Sequence, residues 1–577
     1  MSKTRFRKLL PLVSTLALIL PLFLALAAPV SAATITVCAS GCDHTKIQDA
    51  VDAANPGDVI DVYPGTYNES VDLNGMTLEG DITIRSVNSG GTPTAGTATV
   101  NGGAAGAAFE TSSTFSGDVT IDGFIVKSTS GDGINVAVNS DVVIRDVIAD
   151  STDDDGIQVD GASGDVTIED CTANHNEEGG IGVRDTGGNV TITRCTANDN
   201  DDEGFDIDNI GGNVTITNST ANRSDDDEGF YLYDIDGNVT ITDCTANENE
   251  DEGIEVDGTG WLDGSAVATA DEEDGPDDEG DDQTHQEPLR VANAGGGNVT
   301  ISNCTAKDNG DPGEGDDGIS VLNAGGDVTI SNCTAKRNSD EGIEPNEIQG
   351  AVKVTACISQ DNGEDGIDLW YLEEADSILV NGNIICGNAS DGLELNVEGV
   401  EAEEATVTAT AADATGNWWG CAAGPGALGC DTVNAIDGSV DSTPWIANIT
   451  ASAPASVIVG EPAIVSFQFS GGPPAVYLGE GPGDLHGDPT FIVTTDNGTV
   501  TGGFINAPHG VMEVTLVPQT EGTATVTVVG PCGLHEQIVL GVQAAAADFV
   551  PEPGSVVLLA SGLMGLAGYA GLRMRRK

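Results

Sequence analysis

Every two dozen residues this chain repeats itself. Segments running Gly-Gly-Asn-Val-Thr-Ile begin at Gly187, Gly211 and Gly296, and close variants carry Val119, Val142, Val166, Val239 and Val328. Measured valine to valine, the spacings from Val119 to Val239 are 23, 24, 24, 24 and 25 residues. A second marker, glycine followed by an apolar residue, keeps the same period at Gly133, Gly156, Gly180, Gly204, Gly229 and Gly253. It returns at Gly318, Gly342, Gly366 and Gly392. A unit this short cannot enclose a core alone, so successive units must stack and share one.

Within a unit the apolar residues alternate. Ile181 and Val183, then Val190 and Ile192, then Cys195 and Ala197 each mark a short strand with one buried face. Three such strands per lap predict a parallel β-helix whose laps lie about 4.8 Å apart. The β-branched content and the Gly or Asn bends weigh against a helical solenoid. Five residues before one bend the chain carries Phe124, Val147, Cys171, Cys195, Ser219, Cys244, Cys304, Cys333 and Cys357, all apolar or small, as an inward column requires; Asn383 breaks the series. The bend itself carries Thr129, Thr152, Asn176, Asn200, Ser224, Asn249, Asn309, Asn338, Asn362 and Asn388. Stacked Asn side chains can satisfy one another and the backbone at the bend.

Two stretches carry a family resemblance. Ile47-Gln48-Asp49-Ala50-Val51, Asn55-Pro56-Gly57-Asp58 and Val62-Tyr63-Pro64-Gly65-Thr66-Tyr67 resemble the start of right-handed parallel β-helix proteins of the pectate-lyase-like group. The resemblance implies a short capping helix followed by the first coil. Asn417-Trp418-Trp419-Gly420 and Gly424-Pro425 resemble the terminal coils of the same group. A β-helix is thus expected over residues 34–446, interrupted at 259–297, where the run from Asp271 to Asp282 is almost all Asp, Glu and Gly and is expected to be a solvated loop. The group includes lyases, hydrolases, epimerases and non-catalytic surface fibres, so the resemblance implies architecture and leaves activity open. Residues 447–543 change to period-two strands separated by Gly and Pro turns, which predicts a β-sandwich. Thr495-Asp496-Asn497-Gly498-Thr499-Val500 resembles bacterial immunoglobulin-like spacer domains.

Both termini carry addresses. Lys3, Arg5, Arg7 and Lys8 precede an apolar run from Leu9 to Val30 and the small residues Ser31, Ala32 and Ala33, a signal-peptide pattern over 1–33. At the other end Pro551-Glu552-Pro553, an apolar stretch Ser555–Leu572 and the cluster Arg573 to Lys577 together resemble the PEP-CTERM sorting signal over 550–577. That resemblance implies an exosortase-type processing partner and a cell-envelope or cell-surface address, anchored or released after processing. The apolar stretch is long enough to cross a bilayer, so a C-terminal transmembrane helix and membrane attachment through it are expected. The fold class is then all-β: a right-handed parallel β-helix, a small β-sandwich and one transmembrane helix.

The formal net charge is −73, with 93 Asp and Glu against 20 Lys and Arg. Nucleic acid is excluded as a partner, because phosphate contacts need positive charge. The acids concentrate just before each glycine marker. Asp153, Asp155, Glu178, Asp202, Glu203, Asp226, Glu228, Asp251, Glu252, Asp317, Glu341 and Asp365 would align down one edge of a stacked helix. Two unit charges about 4.8 Å apart repel by about 0.9 kcal/mol in water, and by about 3.5 kcal/mol at an effective dielectric near 20. Repeated over many laps this calls for compensation. Calcium suits an oxygen-only set; a solvated face screened by salt is the other reading. A calcium-bearing stripe could also bridge to extracellular polysaccharide.

Of the twelve cysteines, Cys38 with Cys42, and Cys421 with Cys430, are close in sequence and expected to pair near the two ends of the helix. Cys386 and Cys532 have no evident partner. The inward column of six is expected to remain buried thiols.

A structural, adhesive or matrix role leads from this regularity. The alternative is a carbohydrate-active enzyme, a polysaccharide lyase or a glycoside hydrolase, on the same scaffold. Carboxylate pairs such as Asp206 with Asp208, or Asp153 with Asp155, are too common here to single out. Arg184 and Arg194 are the basic residues nearest the acidic runs, and the insertion near Trp261 is the one irregularity large enough to frame a cleft.

Overall fold

The computed structural model describes residues 32–544 except 77–79, 104–105, 112–114, 260–296, 311–314, 373–374, 376, 397–410, 437, 448, 470–491 and 507–510. Each lap lays down three short strands. One lap runs through Val190–Thr193, Thr196–Asn198 and Phe205–Ile210 before the next starts at Val214–Thr217. Val190 pairs with Val214 and Thr196 with Thr220, in parallel register. Among the described residues the laps build three parallel sheets, of 15, 12 and 12 strands in the order a lap visits them.

The alternation in sequence becomes an inside and an outside. Val190, Ile192, Ala197, Phe205 and Ile207 are fully buried, while Thr191 and Thr193 between them face outward. Phe205 and Phe230 stack inside on successive laps, ring centroids 4.6 Å apart. Three bends close a lap, each through one residue in the left-handed region: Arg194, Asp199 and Asn209, with φ of 56°, 55° and 54°. Asn and Asp tolerate that region better than most side chains, which accounts for their frequency at the bends.

The two columns form as expected from the repeat. Cys171, Cys195, Cys244, Cys304, Cys333 and Cys357 are buried free thiols. Asn383 continues their column although it is polar. Its Oδ1 accepts from the Cys357 N–H at 2.8 Å and its Nδ2 donates to the Val354 carbonyl at 3.0 Å, so burial leaves neither atom unsatisfied. At the bend, Asn176 donates to Asn200 Oδ1 at 2.9 Å, and the ladder resumes through Asn249, Asn309, Asn338, Asn362 and Asn388.

The open ends are covered. Helix Ile47–Ala53 buries Ile47, Ala50 and Val51 against the first lap, and the Glu69 carboxylate accepts from the N–H groups of Ile47 and Gln48. Capping protects an exposed strand edge. Disulfides join Cys38 to Cys42 and Cys421 to Cys430, and Trp419 is fully buried in the last turns.

Beyond the helix lie two four-stranded sheets. One contains Ile449–Ser452, Ala463–Phe469, Val511–Val517 and Thr499–Asn506; the other contains Ser456–Ile458, His535–Gln543, Gly522–Val529 and Ile492–Thr495. All pairings are antiparallel except Ser456–Ile458 with His535–Gln543. This unit packs on the end of the β-helix. Ile358, Ile384 and Trp418 share one hydrophobic cluster with Val457, Phe467, Leu516 and Leu534. A third disulfide, Cys386 to Cys532, ties the two parts across 146 residues, supplying the partner that sequence proximity could not identify.

One expectation of fold class is corrected. A crossing helix needs about 20 apolar residues, and among the described residues no helix is long and apolar enough to cross a membrane. The C-terminal transmembrane helix, and membrane attachment through it, are therefore withdrawn; the all-β helix and sandwich remain. Ser555–Leu572 lies outside the described residues, as do residues 1–31, Trp261 and the run Asp271–Asp282.

Candidate functional site

The bend between the second and third sheets sets the chemistry of one outer face. The glycine marker stands beside the Asn ladder of the next lap. A Cβ on Gly253 would lie 2.6 Å from Asn309 Nδ2, and one on Gly366 would lie 2.5 Å from Asn388 Nδ2, so only glycine fits. The residue before the glycine sits at the bend, half-buried at Glu203, Glu228, Glu252 and Glu341 and buried at Asp155, Asp317 and Asp365. The residue two after the glycine faces outward on the third sheet, because the apolar residue between them turns inward.

Register then stacks these outward residues. Asp206, Tyr231, Glu255, Ser320 and Glu344 follow one another lap by lap, and Asp368 pairs with Glu394 further on. Beside them run Arg184, Asp208, Tyr233, Asp257, Leu322 and Asn346. The acids before the glycines flank both rows, and together they make an acidic wall.

Four places on the wall bring three carboxylates within 4.8 Å of one another: Asp202, Glu203 and Asp227; Glu228, Glu252 and Glu255; Asp317, Asp340 and Glu341; and Glu341, Asp365 and Asp368. Seven of the residues expected from sequence fall here: Asp202, Glu203, Glu228, Glu252, Asp317, Glu341 and Asp365. Asp153, Asp155, Glu178, Asp226 and Asp251 join no such trio among the described residues, and Glu178 and Asp226 are exposed. Four members are new: Asp227 and Asp340, from the same acidic runs as the expected residues, and Glu255 and Asp368. The signal for Glu255 and Asp368 was available in the period-two alternation, since each lies two residues past a glycine marker.

Burial and crowding raise the proton affinity of several of these carboxyls. Burial first, then Asp206, pushes Glu203 up to about 8. Burial and Glu228 raise Glu252 to about 8, and burial with Glu344 and Asp365 raises Asp368 to about 9. Burial also lifts Glu341 to about 8 and Asp365 to about 6. Asp155, outside the trios, is pushed to about 7 by burial and Asp132, with Arg184 opposing. Asp317 is raised well above the carboxylate range by burial and by Glu344 and Glu341.

Arg184 is committed rather than free, since its Nε bonds Asp206. Arg194 lies on a different bend, between the first and second sheets, in a two-point pair with Asp170. Neither stands as an unpaired cation beside the wall. Tyr231 and Tyr233 form a stacked aromatic pair on the wall, centroids 6.1 Å apart, with Tyr233 43% exposed. Chemically, the wall offers oxygen ligands for hard cations and one flat apolar surface.

The sequence matches the family described as Right handed beta helix region over residues 99–264 and 284–409. Residues 549–577 match the PEP-CTERM protein-sorting motif, which marks the protein for export, cell-surface association and C-terminal processing and implies an exosortase. No curated protein matches the chain. Among solved structures it is similar to pectate lyase Pel9A, at 14% identity over 72% of this chain and 79% of that one, with a TM-score of 0.26. It is also similar to full-length tailspike protein 2 from Escherichia coli O157:H7 bacteriophage CAB120, at 12% identity over 86% of this chain and 60% of that one, with a TM-score of 0.27.

Proposed function

Because the chain belongs to the right-handed β-helix family, we propose that it is a surface-displayed structural protein whose acidic wall holds calcium and, through it, extracellular polysaccharide. The observation that carries this reading is the register that stacks acids lap upon lap into trios no wider than 4.8 Å. Carboxylates so placed repel one another unless protons or cations intervene. Oxygen-only ligands favour calcium-class ions. A divalent ion shared with an anionic sugar would join matrix to wall without a catalytic step. The Tyr231–Tyr233 pair offers a surface for a sugar ring beside those ions.

That same pair favours one second reading, a carbohydrate-active enzyme. Tyr231 and Tyr233 stand beside Glu255 and Asp257 on the next lap, which supplies an aromatic platform next to carboxylates, Glu255 among them with its proton affinity raised by burial. One experiment separates the two. The protein is incubated with a panel of acidic polysaccharides, in calcium and in chelator, scoring retention and released products. Calcium-dependent retention without products supports the structural role; new reducing or unsaturated ends support the enzyme; neither outcome on any polymer overturns both.

A further inference from the structure

We propose that the trio Glu341, Asp365 and Asp368 is a discrete calcium-class centre, tighter than the rest of the wall; this rests on the reading that the wall holds cations. Three carboxylates from two successive laps converge there within 4.8 Å. What separates this trio from the other three is one atom. Asp368 is 2% exposed, and its Oδ1 is buried without a hydrogen-bond partner. Buried carboxylate oxygens are nearly always paired with protein, water or an ion. No other carboxylate oxygen of the four trios is orphaned in this way among the described residues. Beside it, Asn346 Oδ1 and Trp370 Nε1 are also buried and unpaired, and Asn346 is bridged to Trp370 across adjacent laps. Two of these three orphans are acceptors, as a cation or its bound water requires.

The donor set names the class of ion. It contains carboxylate oxygens and neither thiolate nor imidazole, which disfavours zinc. Three converging carboxylates suit calcium's large, flexible shell better than magnesium, which keeps most of its water. Glu341 also belongs to the trio with Asp317 and Asp340. A second ion one lap away would share it, so the centre can take two calcium ions bridged by one glutamate.

Calorimetric titration of the full exported chain with calcium tests this. The wild type is expected to show a tight class of one or two ions over a weaker class. Asp368→Asn should weaken the tight class tenfold or more and spare the weaker one, whereas Glu203→Gln should spare the tight class. Superimposable wild-type and Asp368→Asn curves overturn the discrete centre while leaving the wall reading intact. No uptake by the wild type overturns both. Should Asp368→Asn fail to fold, terbium luminescence excited through tryptophan gives an independent readout. Trp370→Phe, which removes no ligand, should abolish most of the sensitised emission at unchanged affinity, and undiminished emission places the tight site elsewhere.

Discussion

Asn249 donates its side-chain amide to Oδ1 of Asn309 at 3.0 Å, although 60 residues separate them. One lap ends with strand Ile254–Thr259 and the next opens with Val299–Ser302 in register, Val239 pairing Val299. Asn309 in turn donates to Asn338, and its Oδ1 also receives the Asn249 N–H. Asn309→Ala strands several buried groups and is expected to cost about 2–3 kcal/mol. Gly253→Ala presses a Cβ to 2.6 Å from Asn309 Nδ2 and 2.7 Å from the Gly318 carbonyl and should cost about 1–3 kcal/mol. Urea unfolding measures both; losses under about 0.5 kcal/mol would mean the ladder is not what holds the laps in register.

The Arg184–Asp206 pair makes a separable prediction. Asp206 is almost buried and Arg184 is its partner. Arg184→Gln leaves that carboxylate beside Glu203 with no cation and should cost about 1–3 kcal/mol, discounted because the arginine is half exposed. Asp206→Asn in the same chain should restore most of the loss. A double variant no better than the single one contradicts the pairing.

Stability of calcium-free protein should fall as pH rises. Folded Glu203, Glu252 and Glu341 keep their protons up to about 8 and Asp368 up to about 9. The unfolded chain releases them near the ordinary carboxylate value of about 4. Between those limits the folded state binds more protons, so stability is lost progressively from about pH 4 to about pH 9. Urea midpoints in chelator at acid, neutral and alkaline pH should decline in that order; a rise would show these groups are ionised in the fold.

The thiol inventory is equally direct. Three disulfides leave six free cysteines, all buried. Native protein should be inert to a thiol reagent and denatured protein should titrate six groups. Fewer than six would mean neighbouring column cysteines oxidise to one another.

What the sequence disclosed depends on what repeats. The period, the inward Cys column and the Asn ladder recur at fixed places, so strand, bend and stacking could be read from one chain. Glu255 and Asp368 escaped notice because their outward column is chemically mixed, carrying Asp206, Tyr231 and Ser320 as well. Outward residues need satisfy no common packing rule, so nothing marks them as neighbours until the register is known. The runs before the glycines were legible as acids, but not which member turns toward the next lap: Glu228 and Glu252 do, whereas Asp226 faces solvent. Cys386 and Cys532 could not be paired because their contact comes from one unit docking on another.

The central claim is that laps align acids into a wall that divalent cations hold together. Thermal unfolding at neutral pH, in calcium and in chelator at matched ionic strength, tests it most directly. The account predicts a midpoint several degrees higher in calcium, reversed by chelator and not reproduced by monovalent salt. Identical midpoints in the two solutions would contradict it.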